Sequence, residues 1–233
     1  MSSSRSNEAE ALGASVDVYP VAHGLERRQG LGLYPFVKRS MDIILSFIGI
    51  IVLCPVFLLV ILLIKLEDPK GGALFYQIRI GKNERPFRMI KFRSMVSDAE
   101  EKLSALLLEK NEIEGAMFKM RNDPRITRVG RFLRRTSIDE LPQLFNVLRG
   151  QMSLVGPRPP LPREVHDYTV RDKLRLTVTP GCTGLWQVSG RNHLSFNEMV
   201  ELDLEYISRR SLRTDMIIML KTFRVLLGSK DAF

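Results

Sequence analysis

Cysteine and histidine are scarce in this chain, two and three among 233 residues. Cys54 lies in a very apolar stretch, and neither it nor Cys182 belongs to a CxxC pair. No disulfide framework is expected, and a reducing compartment is the default. His23, His166 and His193 are scattered without zinc-ligand spacing, so no structural zinc is expected. A Walker loop and a dinucleotide fingerprint are both missing. So are a helix-turn-helix, a zinc finger and an RNP-type aromatic motif, which removes nucleic acid from the expected partners. No apolar h-region follows the first residues, so a signal peptide is not expected.

What is abundant is apolar surface and positive charge. Hydrophobic residues make up 45% of the chain, enough for a sizeable core in one domain with or without appendages. The formal net charge is +9 and the pI near 9.8. That balance favours anionic partners such as phosphorylated substrates or lipid heads, although a solvated basic surface gives the same total.

Residues 1–34 show no apolar periodicity and read as a flexible tail. From Ile43 to Ile64 the only clearly polar side chain is Ser46. A helix over that stretch is roughly 33 Å long, against a hydrocarbon core of about 30 Å. Simple spanning is one reading. Pro55, directly after Cys54, deletes a backbone hydrogen bond and can bend the helix. Lys38 and Arg39 flank one end and Lys65 and Lys70 the other, and basic flanks prefer the cytoplasm. A helix that enters, bends and leaves on the same face is the second reading. The residues alone leave both open.

"ALFYQIRIGKNERPFRMIKFRSM" reads as a β-hairpin turning at "GKNERP". Lys91 and Arg93, two apart, project from one strand face. "SDAEEKLSALLLEKNEIEGAMFKM" reads as a helix with acids in its first turn. "RITRVGRFLRR" reads as a second helix with one arginine-rich face, lying on a membrane or capping a core. "LPQLFNVLRG" has apolar residues at i, i+3, i+4 and i+7 and ends at Gly150. Its start falls at the acidic pair Asp139–Glu140. Either Ser137 and Glu140 form a capping box or Asp139 is itself the N-cap. Prolines around Arg158 make "SLVGPRPPLP" a stiff extended loop. "TPGCTGLWQVSGRN" is glycine-punctuated, and glycine lets backbone N–H groups approach a phosphate. The C-terminal part reads as one or two amphipathic helices, packed or lying in an interface.

Arginines on stiff loops around one carboxylate pair suit phosphoryl transfer, in which cations neutralise charge as a bond breaks. A carboxylate can attack phosphorus and split one transfer into two. Magnesium suits such oxygen donors. The same residues also admit a non-catalytic, membrane-tethered basic domain that grips anionic lipid or a partner protein.

The order of "KRSMD" plus apolar stretch, "KFRSM", "NDPRITRVGRFLRRTSIDELPQLFNVLRGQMSLVGPRP" and "PGCTGLWQVSGR" resembles the bacterial sugar transferase family, the polyprenyl-phosphate sugar-1-phosphate transferases. The resemblance runs from about Lys38 to the C-terminus, and the chain looks like the compact form of the family. It implies an α+β, mainly helical monotopic membrane protein. The expected parts are an N-terminal re-entrant helix over 35–68 broken at Cys54–Pro55, a small β-hairpin and amphipathic interfacial helices. Residues 69–233 become a catalytic domain on the cytoplasmic face of the bacterial inner membrane. The implied reaction moves a hexose-1-phosphate, galactose or glucose, from a UDP-sugar to undecaprenyl phosphate and releases UMP, a first step in exopolysaccharide, capsule or O-antigen assembly. Asp139 becomes the nucleophile and Glu140 its assistant, with Mg2+ on Asp139. Lys91, Arg93, Arg158 and Arg191 become substrate-binding residues, and Lys38, Arg39 and Asp42 the lipid-phosphate anchor. Relatives break the membrane helix at Ser-Pro; here Cys54 replaces the hydroxyl with a thiol, a weak back-bonding group.

Overall fold

A computed structural model describes residues 32–99, 123–190 and 194–228 of the chain. The tail over 1–31, most of the acidic helix expected after Ser97, and Arg191 and His193 lie outside the described residues. The chain from Leu33 onward packs as one unit.

The first element, α1 (Tyr34–Glu67), is a single helix of 34 residues with Pro55 inside it. At 1.5 Å per residue it is about 51 Å long. It is long and apolar enough to cross a membrane. Its side chains nonetheless divide into two faces. Asp42, Ser46, Phe57, Val60 and Ile64 are buried, and their spacing keeps them on one narrow stripe. Ile44, Phe47, Ile51, Leu58 and Leu62 on the remaining surface stay exposed. The one hydroxyl in the apolar run, that of Ser46, thus points at the protein and not at the open apolar face. The helix continues through Cys54 and Pro55, both exposed, without interruption.

Both ends of α1 are fastened to the same unit. Near its start, Asp215 accepts from Tyr34 (3.0 Å) and Lys38 (2.9 Å). Arg39 donates to the carbonyls of Val147 and Leu148 (2.7 and 2.8 Å), and Asp42 accepts from the Leu154 N–H (3.0 Å). At its end, the Glu67 carboxylate accepts from the N–H groups of Arg128 and Val129 (2.8 and 3.0 Å). These are the first free N–H groups of α2 (Arg128–Arg135), and an anion there offsets the positive end of the helix dipole. The Thr127 side chain caps the same end by accepting from Gly130 N–H (2.9 Å).

The expected hairpin is present as β1 (Leu74–Ile80) and β2 (Pro86–Phe92), antiparallel with Leu74 opposite Phe92. Its turn places Asn83 and Glu84 at positive φ. The second half of α1 packs on it: Phe57, Val60 and Ile64 share a core with Phe92 and Leu133, and the Phe57 and Phe92 rings meet edge-on at 5.5 Å.

The free edge of β2 is closed by one side chain. Asn146 is fully buried on α3 (Gln143–Leu148). It accepts from the Ile90 N–H (2.9 Å) and donates to the Arg88 carbonyl and to Gln151 (both 2.7 Å). A side-chain amide thereby stands in for a third strand and satisfies groups that burial would otherwise leave unpaired. Gly150, at φ +76°, ends this stretch as expected.

The proline loop is extended, but its first residues are strand: β3 (Ser153–Val155) runs parallel to β4 (Gly181–Thr183). The glycines of this region bring backbones together. A Cβ on Gly181 would lie 2.1 Å from Gly156 N, and one on Gly184 would lie 2.5 Å from Gly156 O. Close contact between the two loops is the role the structure shows for these glycines. Two short helices, α4 (Pro162–His166) and α5 (Val170–Lys173), lead to α6 (Phe196–Arg209) and α7 (Leu212–Gly228). Ser195 and Glu198 form a capping box on α6, and the Ser211 hydroxyl accepts from Thr214 N–H to start α7. Tyr206, Ile207 and Ile218 build a second core on Val155 and Val178. On α7, Met216, Ile217, Leu220 and Phe223 remain exposed.

Candidate active site

The chain reverses after α2 at Ser137, whose φ of 56° is left-handed. A non-glycine residue there is strained, and such strain persists only where the surroundings hold it. The reversal feeds a 3-10 turn over Ile138–Glu140, and α3 starts only at Gln143. Neither expected cap exists. Ser137 makes no side-chain cap, because a left-handed residue cannot take the extended N-cap geometry, and Asp139 sits inside the turn. The acidic pair is therefore not a helix-starting device. Asp139 is tucked inward, 7% exposed, while Glu140 faces a cleft.

Lys91 on β2 meets Glu140 at 2.7 Å. The hairpin register explains what stands beside it. Phe75 pairs with Lys91, Gln77 with Met89 and Arg79 with Phe87, so these residues share one sheet face. Arg79 and Met89 accordingly line the cleft with Lys91, Glu140, Gln143, Arg158 and Cys182. Arg79, 4% exposed, is held by the Pro159 carbonyl (3.0 Å) and by Gln77. Arg158 is half-buried between the buried prolines 157 and 159. Arg79 was detectable in the sequence, since the register fixes its face. Gln143 and Cys182 gave no comparable signal.

The pair is electrostatically split. Burial and the neighbouring Glu140 raise Asp139 to about 6, against the opposing pull of Lys91 and Arg134. For Glu140, burial is overridden by Lys91 and Arg158, which hold it down at about 2. The two titrations are one coupled event, with the proton on Asp139 and the charge on Glu140. Desolvation and the Glu140 and Asp42 carboxylates push the Cys182 thiol up, which removes it as a competing nucleophile in this cleft.

Arg93, Lys38, Arg39 and Asp42 do not line this cleft. Arg93 follows the last residue of β2, and its guanidinium turns to the Asp68 carbonyl (2.6 Å) and carboxylate (3.1 Å) at the end of α1. Strand alternation ends with the strand, so the shared face with Lys91 does not extend to it. Lys38, Arg39 and Asp42 take internal partners and hold α1 to the body. Among the described residues, no three His, Cys, Asp or Glu side chains are grouped to hold a metal ion. Two adjacent, mutually repelling carboxylates still match what Mg2+ takes from a protein when phosphate oxygens complete its shell.

The family described as bacterial sugar transferase matches residues 33–229. A galactosyl transferase, CpsE, of Streptococcus agalactiae is 48% identical over 82% of this chain and 42% of its own length. An undecaprenyl-phosphate galactose phosphotransferase of Salmonella typhimurium is 44% identical over 85% of this chain and 42% of its own length. The exopolysaccharide production protein ExoY of Rhizobium meliloti is 40% identical over 84% of this chain and 88% of its own length. The chain thus spans about two-fifths of the longer relatives and nearly the whole of ExoY.

Proposed function

The chain belongs to the bacterial sugar transferase family, and we propose that it moves a hexose-1-phosphate from a UDP-sugar to undecaprenyl phosphate, releasing UMP. Galactose is the first sugar to try, because two relatives carry it in their names. The observation that carries this reading is Glu140 facing a cleft with Lys91, Arg79 and Arg158, with the Asp139 carboxyl buried directly behind it. Ionised Asp139 attacks the β-phosphorus of the donor. The bond from that phosphorus to the bridging oxygen breaks, and UMP leaves with the electron pair. An oxygen of the lipid phosphate then attacks the phosphorus of the aspartyl adduct and restores the Asp139 carboxylate. Arg158 and Arg79 face the charge that develops on the leaving UMP. Glu140, ionised and fixed by Lys91, is too weak a base to take a proton from the lipid phosphate and orients the second step. Magnesium held by Asp139 with the diphosphate would supply further charge neutralisation.

This reading places the body on the cytoplasmic face of the inner membrane, with α1 re-entrant. Supporting it, both ends of α1 are fixed to one unit, whereas the ends of a spanning helix are separated by about 30 Å of hydrocarbon. A reporter fused before Met1 is expected on the cytoplasmic side; a periplasmic reporter contradicts re-entry.

The test is UMP release by the solubilised protein. It is expected to need UDP-galactose or UDP-glucose, and undecaprenyl phosphate for multiple turnovers. Binding of both without UMP would favour the non-catalytic alternative.

The pKa splitting gives a pH prediction. With donor alone, the single-turnover rate of UMP release at subsaturating donor should rise with pH through about 6 as Asp139 ionises. Omitting the acceptor keeps the lipid phosphate's own titration out of the profile. Glu140→Gln removes a negative neighbour, so the acid limb should move to lower pH. An unmoved limb would dissociate Glu140 from the charge state of Asp139.

A further inference from the structure

Polar side chains recur at every third position across the acidic turn and the helix after it: Glu140, Gln143 and Asn146. Neighbours three apart share a helical face, and the outer two both reach β2. Glu140 meets Lys91 (2.7 Å), and Asn146 takes the Ile90 N–H (2.9 Å) and the Arg88 carbonyl (2.7 Å). Gln143, between them, makes no side-chain hydrogen bond to any described residue. It is only 4% exposed, yet neither of its amide atoms is enclosed. The little surface it keeps opens on the acidic cleft, which it lines with Arg158, Met89 and Cys182. A polar side chain buried to this degree without a partner is uncommon, and it points to a partner from outside the fold.

The surroundings set the chemistry of that partner. Arg79, Lys91 and Arg158 line the cleft against a single carboxylate, Glu140, so an anionic group is favoured there. Lys91 is engaged by Glu140, and Arg79 by Gln77 and the Pro159 carbonyl. Arg158 acts on Glu140 through space only. Gln143 and Arg158 thus remain as donors for a ligand. The cleft is narrow, with interior room for a single oxygen-sized group. That suits one oxygen of a phosphoryl group and excludes a sugar ring or a base from the space beside the amide.

We propose that Gln143 is a catalytic residue whose amide N–H donates to a non-bridging oxygen of the phosphoryl group in transfer. The inference rests on the proposed transferase function and adds a contact to it. A non-bridging oxygen stays on the phosphorus throughout, while the bridging oxygen leaves with UMP in the first half-reaction and a lipid oxygen arrives in the second. The Gln143 contact therefore serves both halves. A neutral amide adds direction to the field of the cations. A donor already in place costs no reorganisation as charge builds on that oxygen.

Gln143→Met keeps the shape and removes the amide. The fold loses no hydrogen bond, so this variant of the solubilised full-length protein should unfold thermally no earlier than the parent; a lowered midpoint would mark the amide as structural and overturn the proposal. In single turnovers at saturating UDP-galactose or UDP-glucose, UMP release without acceptor should slow about 10²-fold, and so should discharge of the sugar phosphate from the protein onto undecaprenyl phosphate. By calorimetry, pyrophosphate should bind about tenfold more weakly. Gln143→Glu, similar in size but negative, should be worse than Gln143→Met in all three. Activity kept by Gln143→Glu and lost by Gln143→Met would mean that the amide oxygen accepts from a sugar hydroxyl, and would overturn the proposal. A loss confined to one half-reaction would do the same, by assigning the amide to UMP or to the lipid. Normal UMP release by the parent, with Gln143→Met unchanged in rate and in pyrophosphate affinity, would overturn the contact and keep the function. A parent that releases no UMP, but loses pyrophosphate affinity on Gln143→Met, would sink the functional reading and keep the phosphoryl contact.

Discussion

Replacing Asp139 by asparagine should lower transfer by about 10³- to 10⁶-fold, the scale seen when a covalent nucleophile is removed, while the protein stays folded. The second half of that expectation follows from burial. The folded-state carboxyl titrates near 6, above its ordinary 3.8. Between those values the folded state binds a proton that the unfolded chain has lost, so this group's contribution to stability falls as pH rises through the window. At pH 7.5 an ionised Asp139 is a folding cost borne for chemistry. Asparagine removes it, and thermal unfolding at pH 7.5 should occur no lower than in the parent protein. A variant that loses transfer and also unfolds earlier would mark Asp139 as structural.

The second large effect concerns the anchorage of α1. Asp215 is fully buried and accepts from Lys38, Tyr34 and Tyr206. Asp215→Ala strands the Lys38 ammonium and the Tyr34 phenol and leaves the Tyr206 hydroxyl only the Val155 carbonyl (3.2 Å). Removing one member of a buried pair costs about 3–5 kcal/mol. Because the Lys38 side chain is 15% exposed, solvent should soften this to about 2–4 kcal/mol, read by denaturant unfolding in detergent. The double variant Lys38→Met with Asp215→Leu should recover much of the loss, since it removes the stranded charge with its partner. A change within about 0.5 kcal/mol for Asp215→Ala would show that this network does not fasten α1.

The contrast between these two acids shows what the sequence could and could not reveal. The hairpin was legible because strand alternation and the "GKNERP" turn are local, and its register also held the information that puts Arg79 beside Lys91. The long apolar helix was legible from composition, but its buried stripe was not, because the groups it packs on are distant in sequence. Asp139 and Glu140 stood out through the family resemblance. Their role was obscured by capping logic, which assumes an extended residue before the helix; the left-handed Ser137 breaks that assumption and turns Asp139 inward. Lys38 and Arg39 look like free cations in sequence because their partners, Asp215 and the carbonyls of Val147 and Leu148, lie more than a hundred residues away. Asn146 was hidden for the same reason: a side chain that completes a sheet edge has no local pattern.

The most direct test of the central claim is intact-mass and peptide mapping of the protein after incubation with UDP-sugar carrying a labelled β-phosphate and no lipid acceptor. One sugar phosphate per chain on the peptide holding Asp139, released on adding undecaprenyl phosphate and missing in Asp139→Asn, is the expected result. Stoichiometric UMP formation with lipid present, but no label on that aspartate under any quench condition, would mean direct transfer between the substrates and contradict the account.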